Sequence, residues 1–264
     1  MSSCSNANLD ATCLGRTIGN VVVNDARILA GVSAAQLAHR LSGACLRRSR
    51  RHGKYLLVGL EPADWLIMHF GINGSLQHFA RDEQDPPCDR VRFDFVDGHH
   101  LAYVNPRLLG QVGLTTDPDA FITDEGLGPD ALDERFDFAA FEKLVSGRRR
   151  DVKSLLMDQA AIAGIGNIYS DEILFHAGLH PQTRCDRLDG KARQRLFRSM
   201  KDLLRTALNA GAGAERLADK LPGSFLIPHR SKGGRCPHCG GELASVKFSG
   251  RTAYYCPRRQ PQPG

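Results

Sequence analysis

Hydrophobic and polar positions change their period partway along this 264-residue chain. Up to residue 114 the apolar side chains alternate with polar ones or come in short runs, the pattern of half-buried and buried strands. Ile18 and Val21–Val23 read as one strand; Tyr55–Leu60 and Trp65–Phe70 flank turn residues at Glu61–Asp64 and read as a hairpin. Val91, Phe93 and Phe95 alternate with Arg92 and Asp94, and Leu101 and Tyr103 continue the pattern beyond an Asp97-Gly98 turn. Ser33 is placed to cap a single helix bearing Leu37 and Leu41. Residues 115–135 are rich in Asp, Pro and Gly and read as a linker. Beyond them the period becomes helical, with Phe138, Phe141, Leu144 and Val145 on one face, and Leu196, Met200, Leu203 and Ala207 on another. The prediction is an α+β chain: a β-sandwich-like domain over 1–114, the linker, a helical domain over 136–230, and a β-hairpin with tail over 231–264.

The stretch from Asp151 to Pro181 carries the first chemical signal. Leu155, Leu156, Gln159 and Ile162 recur at helical spacing, as do Ile168, Ile173, Leu174 and Ala177, and Gly164-Ile165-Gly166-Asn167 lies between. Glycines one residue apart let a backbone approach another surface, and a helix N-terminus behind them offers N–H groups to an anion. A plain turn between helices fits the same residues. Charge changes the balance. The chain carries a formal +6, with arginines gathered at 47–51, 148–150 and 230–235, a pattern that favours a polyanionic partner. No apolar run is long enough to span a membrane, and the first fifteen residues lack the basic start and apolar centre of a signal peptide, so the expected location is the cytoplasm. Five of the eight cysteines are scattered, whereas Cys236, Cys239 and Cys256 gather near the end, the distribution of reduced thiols plus a metal-type cluster.

The β-rich start, the Gly-Ile-Gly-Asn turn between helices and the terminal Cys-x-x-Cys hairpin together resemble the formamidopyrimidine-DNA glycosylase / endonuclease VIII family from about Leu9 to Gln260. The resemblance implies a helix-two-turn-helix around Asp151–Pro181, a zinc-ribbon-type hairpin, and a double-stranded DNA partner, damaged or abasic, bound by a monomer on the bacterial nucleoid. By the same resemblance Asn167 and the amides near Gly164 and Gly166 bind phosphates, and Lys54 contacts phosphate beside the lesion and assists elimination. Arg107 enters the duplex opposite the extruded base, with Ile72 and Leu109 as wedge partners where the family usually has Met and Phe. Apolar wedges offset an unstacking cost of a few kcal/mol. Arg149 matches a DNA-contacting lysine, Cys88 stands where a DNA-contacting histidine is frequent, and Arg251 matches the finger arginine that reaches phosphate and serves the second elimination.

Two departures bear on chemistry. The family's fourth zinc ligand is replaced by Arg259, which cannot ligate zinc, and His238 is badly placed to substitute. Either three thiolates and a borrowed ligand hold the metal, or it is lost and packing holds the hairpin. The family's N-terminal Pro-Glu is not found, and Asp10 is the nearest acid. An α-amine has a pKa near 8, whereas Lys54 needs its pKa lowered by ~2–3 units to act as nucleophile. The first expectation is therefore a lesion-binding member with catalysis lost or impaired. The alternative is an active glycosylase and abasic-site lyase using Lys54 or the N-terminal amine, and a zinc-ribbon interaction module accounts only for the last thirty residues.

Overall fold

The computed structural model describes residues 9–80, 82–211, 217–248 and 250–263. One compact unit runs to Glu125 and a second begins at Gly126.

Two four-stranded antiparallel sheets make up the first unit. Strands β1 (Ile18–Val23), β6 (Asp89–Phe95), β7 (His99–Val104) and β5 (Ser75–Ala80) pair in the order β1-β6-β7-β5, and β2 (Cys45–His52), β3 (Tyr55–Glu61), β4 (Trp65–His69) and β8 (Gln111–Thr115) in the order β2-β3-β4-β8. Leu56, Val58 and Met68 of one sheet share a core with Phe93, Leu101 and Tyr103 of the other. Helix α1 (Ala34–Leu41) begins in a capping box in which Ser33 and Gln36 each bond the other's backbone N–H. The arginine run at 47–51 makes up most of β2. Arg47 pairs with Glu61, Arg48 lies 4.6 Å over the Trp65 ring, and Arg50 pairs with Asp119 at 2.7 Å. Asp119 belongs to α2 (Pro118–Asp124), a helix inside the stretch read as linker; Phe121 packs edge-on against Tyr55, whose hydroxyl donates to Glu125.

The second unit packs α3 (Phe138–Val145), α4 (Val152–Met157), α5 (Asn167–Ala177) and α6 (Gly190–Asn209) around Phe141, Leu155, Ile173 and Met200, and carries the hairpin β9 (Ala244–Phe248) and β10 (Arg251–Tyr255). Helix α4 is shorter than its apolar pattern. Asp158 ends it by leaving the helical backbone region, its carboxylate held by Arg150 at 2.7 Å and by the Ala160 N–H, so Gln159 and Ile162 fall in the connecting turns.

Candidate nucleic-acid interface

Within the first unit, Ile72, Arg107 and Leu109 stand on two loops that touch. One loop, Phe70–Gly74, follows β4; the other, Asn105–Gly110, follows β7. A Cβ added at Gly71 would lie 2.6 Å from the Leu109 carbonyl, so only glycine lets the loops approach this closely. Ile72 and Leu109 are 51% and 53% exposed, and Arg107 is exposed beside them. Large apolar side chains this exposed are few among the described residues, and two of them share these touching loops. Lys54 sits half-buried at the β2–β3 turn. Burial, and then the Lys54 ammonium, hold His69 below the usual imidazole range. His69 Nδ1 accepts the Gly71 N–H at 3.3 Å, which links the lysine's neighbourhood to the Phe70–Gly74 loop. Cys88 is exposed with φ of 62°, and its carbonyl accepts the Asn105 N–H. Next to it, burial raises Asp89 to about 6; one carboxylate oxygen is bonded by Asn24 and the other has no partner. Asp10 accepts a hydrogen bond from Ser49.

The Gly-Ile-Gly-Asn turn of the second unit is braced from inside. Gln159 donates to the Met157 and Ile165 carbonyls at 2.8 Å and accepts the Gly164 N–H. Gly164 has φ of 110°, a region closed to other residues, and Gly166 stands at the N-cap of α5, where it supplies no side-chain cap to the first-turn N–H groups. Asn167 opens the helix and donates to the Thr252 carbonyl of β10 at 3.3 Å, which places it beside exposed Arg251. The arginine run at 148–150 divides by role: Arg150 is spent on Asp158 and the Ser154 carbonyl, while Arg148 and Arg149 are exposed.

Beneath this surface lies a network absent from the sequence reading. Lys153 is fully buried, 2.6 Å from Asp171 and 2.7 Å from the Ser170 hydroxyl. The other Asp171 oxygen accepts from Arg230 at 2.8 Å and from the Tyr254 N–H at 3.1 Å, and Arg230 also donates to Thr252. Buried Glu172 accepts the Leu226 and Ile227 N–H groups. Together these tie α4, α5 and the hairpin into one piece. The signal was a lysine and two acids interrupting otherwise apolar helical faces.

At the hairpin's base the sulfurs of Cys236, Cys239 and Cys256 lie within 4.8 Å of one another, with Cys239 and Cys256 at 3.5 Å. Tetrahedral zinc with Zn–S near 2.3 Å sets sulfurs ~3.8 Å apart, so the thiols suit three corners. No fourth ligand joins them among the described residues. Arg259 lies over the Phe175 ring at 5.6 Å, and His238 Nε2 donates to the Ser224 carbonyl while its ring packs on Phe175. Fully buried Gln260 accepts the Cys256 N–H at 2.9 Å and donates to the Leu179 carbonyl at 2.7 Å, joining the hairpin to the end of α5.

Residues 5–112 match the formamidopyrimidine-DNA glycosylase N-terminal domain, 127–219 its H2TH domain, and 233–258 a zinc finger found in FPG and IleRS. Formamidopyrimidine-DNA glycosylase of Laribacter hongkongensis is 33% identical over 261 residues, 96% of each chain. The chain belongs to the formamidopyrimidine-DNA glycosylase family. The Acaryochloris marina enzyme of that name is 35% identical over 229 residues, 80% of each chain. The Lactococcus lactis glycosylase, solved non-covalently bound to DNA containing an AP site, superposes with a TM-score of 0.88 at 25% identity, covering 99% of this chain and 98% of that one. The expected fold is thus the family's: sheet domain, helical H2TH domain and terminal zinc finger, the last compatible with zinc. Among the described residues no helix is long and apolar enough to cross a membrane. The family's N-terminal Pro-Glu would fall in or before residues 1–8, outside the described residues.

Proposed function

We propose that this chain binds duplex DNA at damaged or abasic nucleotides in base-excision repair, as a monomer working on the cytoplasmic nucleoid. The observation that carries this reading is the pair of touching loops that hold Ile72 and Leu109 exposed beside Arg107. Exposed aliphatic side chains flanking a cation suit a gap left by an extruded nucleotide: the apolar groups fill the unstacked space and the guanidinium meets the unpaired base. Lys54 and Arg149 supply phosphate charge, the amides at Gly164–Asn167 bond a phosphate directly, and Arg251 adds a contact from the hairpin. Cys88, with a short neutral side chain, contributes less than a cationic residue would. Cys236, Cys239 and Cys256 would hold a zinc ion, whose contribution is to join the two ends of the hairpin, with an exchangeable fourth ligand in place of Arg259.

A second reading has the chain excise the base as well, and the names of its relatives favour it. Excision requires a neutral amine at C1′ and a nearby acid. Lys54, half-buried at the β2–β3 turn, is one candidate amine; the N-terminal amine is the other. Loss of catalysis rests on the chain's first residues alone. Borohydride trapping on abasic duplex DNA separates the readings. An adduct lost in Lys54→Ala assigns that lysine, and an adduct lost on blocking the α-amine assigns the N-terminus. Tight abasic binding without any adduct supports binding alone, and equal affinity for abasic and intact duplex removes the proposal.

A further inference from the structure

Ile72 belongs to one loop and Leu109 to another, yet a wedge works only if both tips sit at a fixed height relative to each other. One side chain contacts both loops. Asn105 is 2% exposed. Its Nδ2 donates to the Phe70 carbonyl at 3.2 Å, at the root of the Ile72 loop, while its Oδ1 accepts the Leu109 N–H at 3.2 Å. The same Nδ2 donates to the Tyr103 hydroxyl at 3.1 Å, and that hydroxyl donates to the His69 carbonyl at 2.6 Å. The backbone of Asn105 is held in turn, its N–H by the Cys88 carbonyl at 3.1 Å and its carbonyl by Arg90 Nε at 3.0 Å.

The surrounding residues leave this amide little room. A Cβ at Gly110 would lie 2.0 Å from the Tyr103 hydroxyl and 2.3 Å from Asn105 Nδ2, and one at Gly74 would lie 2.6 Å from the same nitrogen. Leu108 adopts φ of 53°, a left-handed conformation unfavourable for a branched side chain, so the loop needs its neighbours to hold it. Oδ1 of Asn105 does so at the next residue. A carboxamide is the group that meets these demands, since the site offers two acceptors on one side and a donor on the other.

We propose that Asn105 is a positioning residue for the wedge, fixing Ile72 and Leu109 relative to each other and so setting discrimination between gapped and intact DNA. The inference rests on the reading that these loops enter the duplex. It is tested by binding the full chain to a duplex carrying a tetrahydrofuran abasic analogue and to the same duplex intact. A 2-aminopurine opposite the analogue reports insertion. In Asn105→Ala the freed Leu109 N–H and Phe70 carbonyl let the loops part, and the abasic-to-intact affinity ratio should fall about tenfold, with intact-duplex affinity unchanged. The 2-aminopurine signal should fall with it. Tyr103→Phe keeps the ring stacked on Phe70 while removing one partner of the amide, and should lower the ratio in the same direction. If Asn105→Ala does not fold, Tyr103→Phe alone decides. A purely architectural role would lower the melting temperature and leave the ratio and the fluorescence unchanged, which would overturn the proposal, as would equal loss on both duplexes. Failure of the underlying reading looks different: the unaltered chain would show no preference for the abasic duplex.

Discussion

Replacing Asp171 by Asn tests whether the buried charge network holds α4, α5 and the hairpin together. The carboxylate has contact with two cations and one amide: Lys153 at 2.6 Å, Arg230 at 2.8 Å and the Tyr254 N–H at 3.1 Å. Lys153 is fully buried, and the Arg230 side chain is 16% exposed. Asn keeps the volume but removes the charge and turns an NH2 toward at least one donor. Two cations then face each other across a neutral amide in a site sheltered from water. Breaking a buried pair in this way costs about 3–5 kcal/mol, far above the ~0–1 kcal/mol of an exposed pair. At roughly 3–4 °C per kcal/mol for a unit of this size, the melting temperature of the second unit should fall by about 10–20 °C. Calorimetry measures the loss, and hydrogen exchange at the Tyr254 amide reports whether the hairpin has detached. A triple variant, Lys153→Met with Asp171→Leu and Arg230→Met, removes all three charges together but leaves the Tyr254 N–H without its acceptor, so it should recover more than half of the loss rather than all of it. A loss under ~1 kcal/mol in Asp171→Asn, or a triple variant as unstable as the single one, would refute the network as the source of the coupling.

The divided arginine run gives opposite expectations for neighbours: Arg149→Ala should reduce the salt slope of DNA binding by about one unit without altering stability, whereas Arg150→Ala, which frees Asp158, should lower the melting temperature. Asp89, raised to about 6 by burial, binds its proton more tightly in the folded chain than in the unfolded one, so its stability cost grows from about pH 4 to pH 6 and is constant above. Asp89→Asn should therefore stabilise the chain by about 1–3 kcal/mol at pH 7 in denaturant titrations, and by nothing below pH 4. Chelation should remove zinc, read by mass spectrometry, while exchange protection at the Cys256 amide persists, because Gln260 holds that amide; its loss on chelation would show that the metal carries the docking. Leu109→Phe, at a half-exposed site, adds a stacking face and should tighten abasic binding about five- to tenfold with intact duplex unaffected, measured by fluorescence anisotropy.

Strands whose side chains alternate were legible because the period alone specifies them, as at β6 and β7. Strand β2 was not. Five of its eight residues are Arg or His, and what makes it a strand is distant in sequence: the Trp65 ring, Glu61 and Asp119 receive its cations. The arginine clusters pointed to a polyanion, but spacing alone could not divide them into residues paired within the chain, such as Arg47, Arg50 and Arg150, and residues left exposed, such as Arg148 and Arg149. In the second unit the apolar spacing overran α4, because an Asp158 terminus held by Arg150 has no local signature. The thiol cluster and the Gly-Ile-Gly-Asn turn were readable as spacings. Asn105, Gln159 and Gln260 were not, since a neutral amide declares its function only through the backbone groups around it.

Those amides share one task. Gln159 braces the Gly-Ile-Gly-Asn turn, Gln260 fastens the hairpin to the end of α5, and Asn105 joins the Phe70–Gly74 and Asn105–Gly110 loops. Each satisfies buried backbone groups that would otherwise cost about 1–3 kcal/mol apiece, and none carries charge that a change of pH or salt could remove. A surface meant to meet a polyanion loses affinity steeply with salt, so the geometry that presents it is best held by contacts that salt does not weaken. On the proposed reading, the exposed cations Arg107 in the first unit and Arg149 and Arg251 in the second would vary their engagement with DNA while the backbone that carries each keeps its shape. On that reading discrimination would follow from shape more than from charge, because phosphate contacts are common to damaged and intact duplex and the proposed wedge is what distinguishes them.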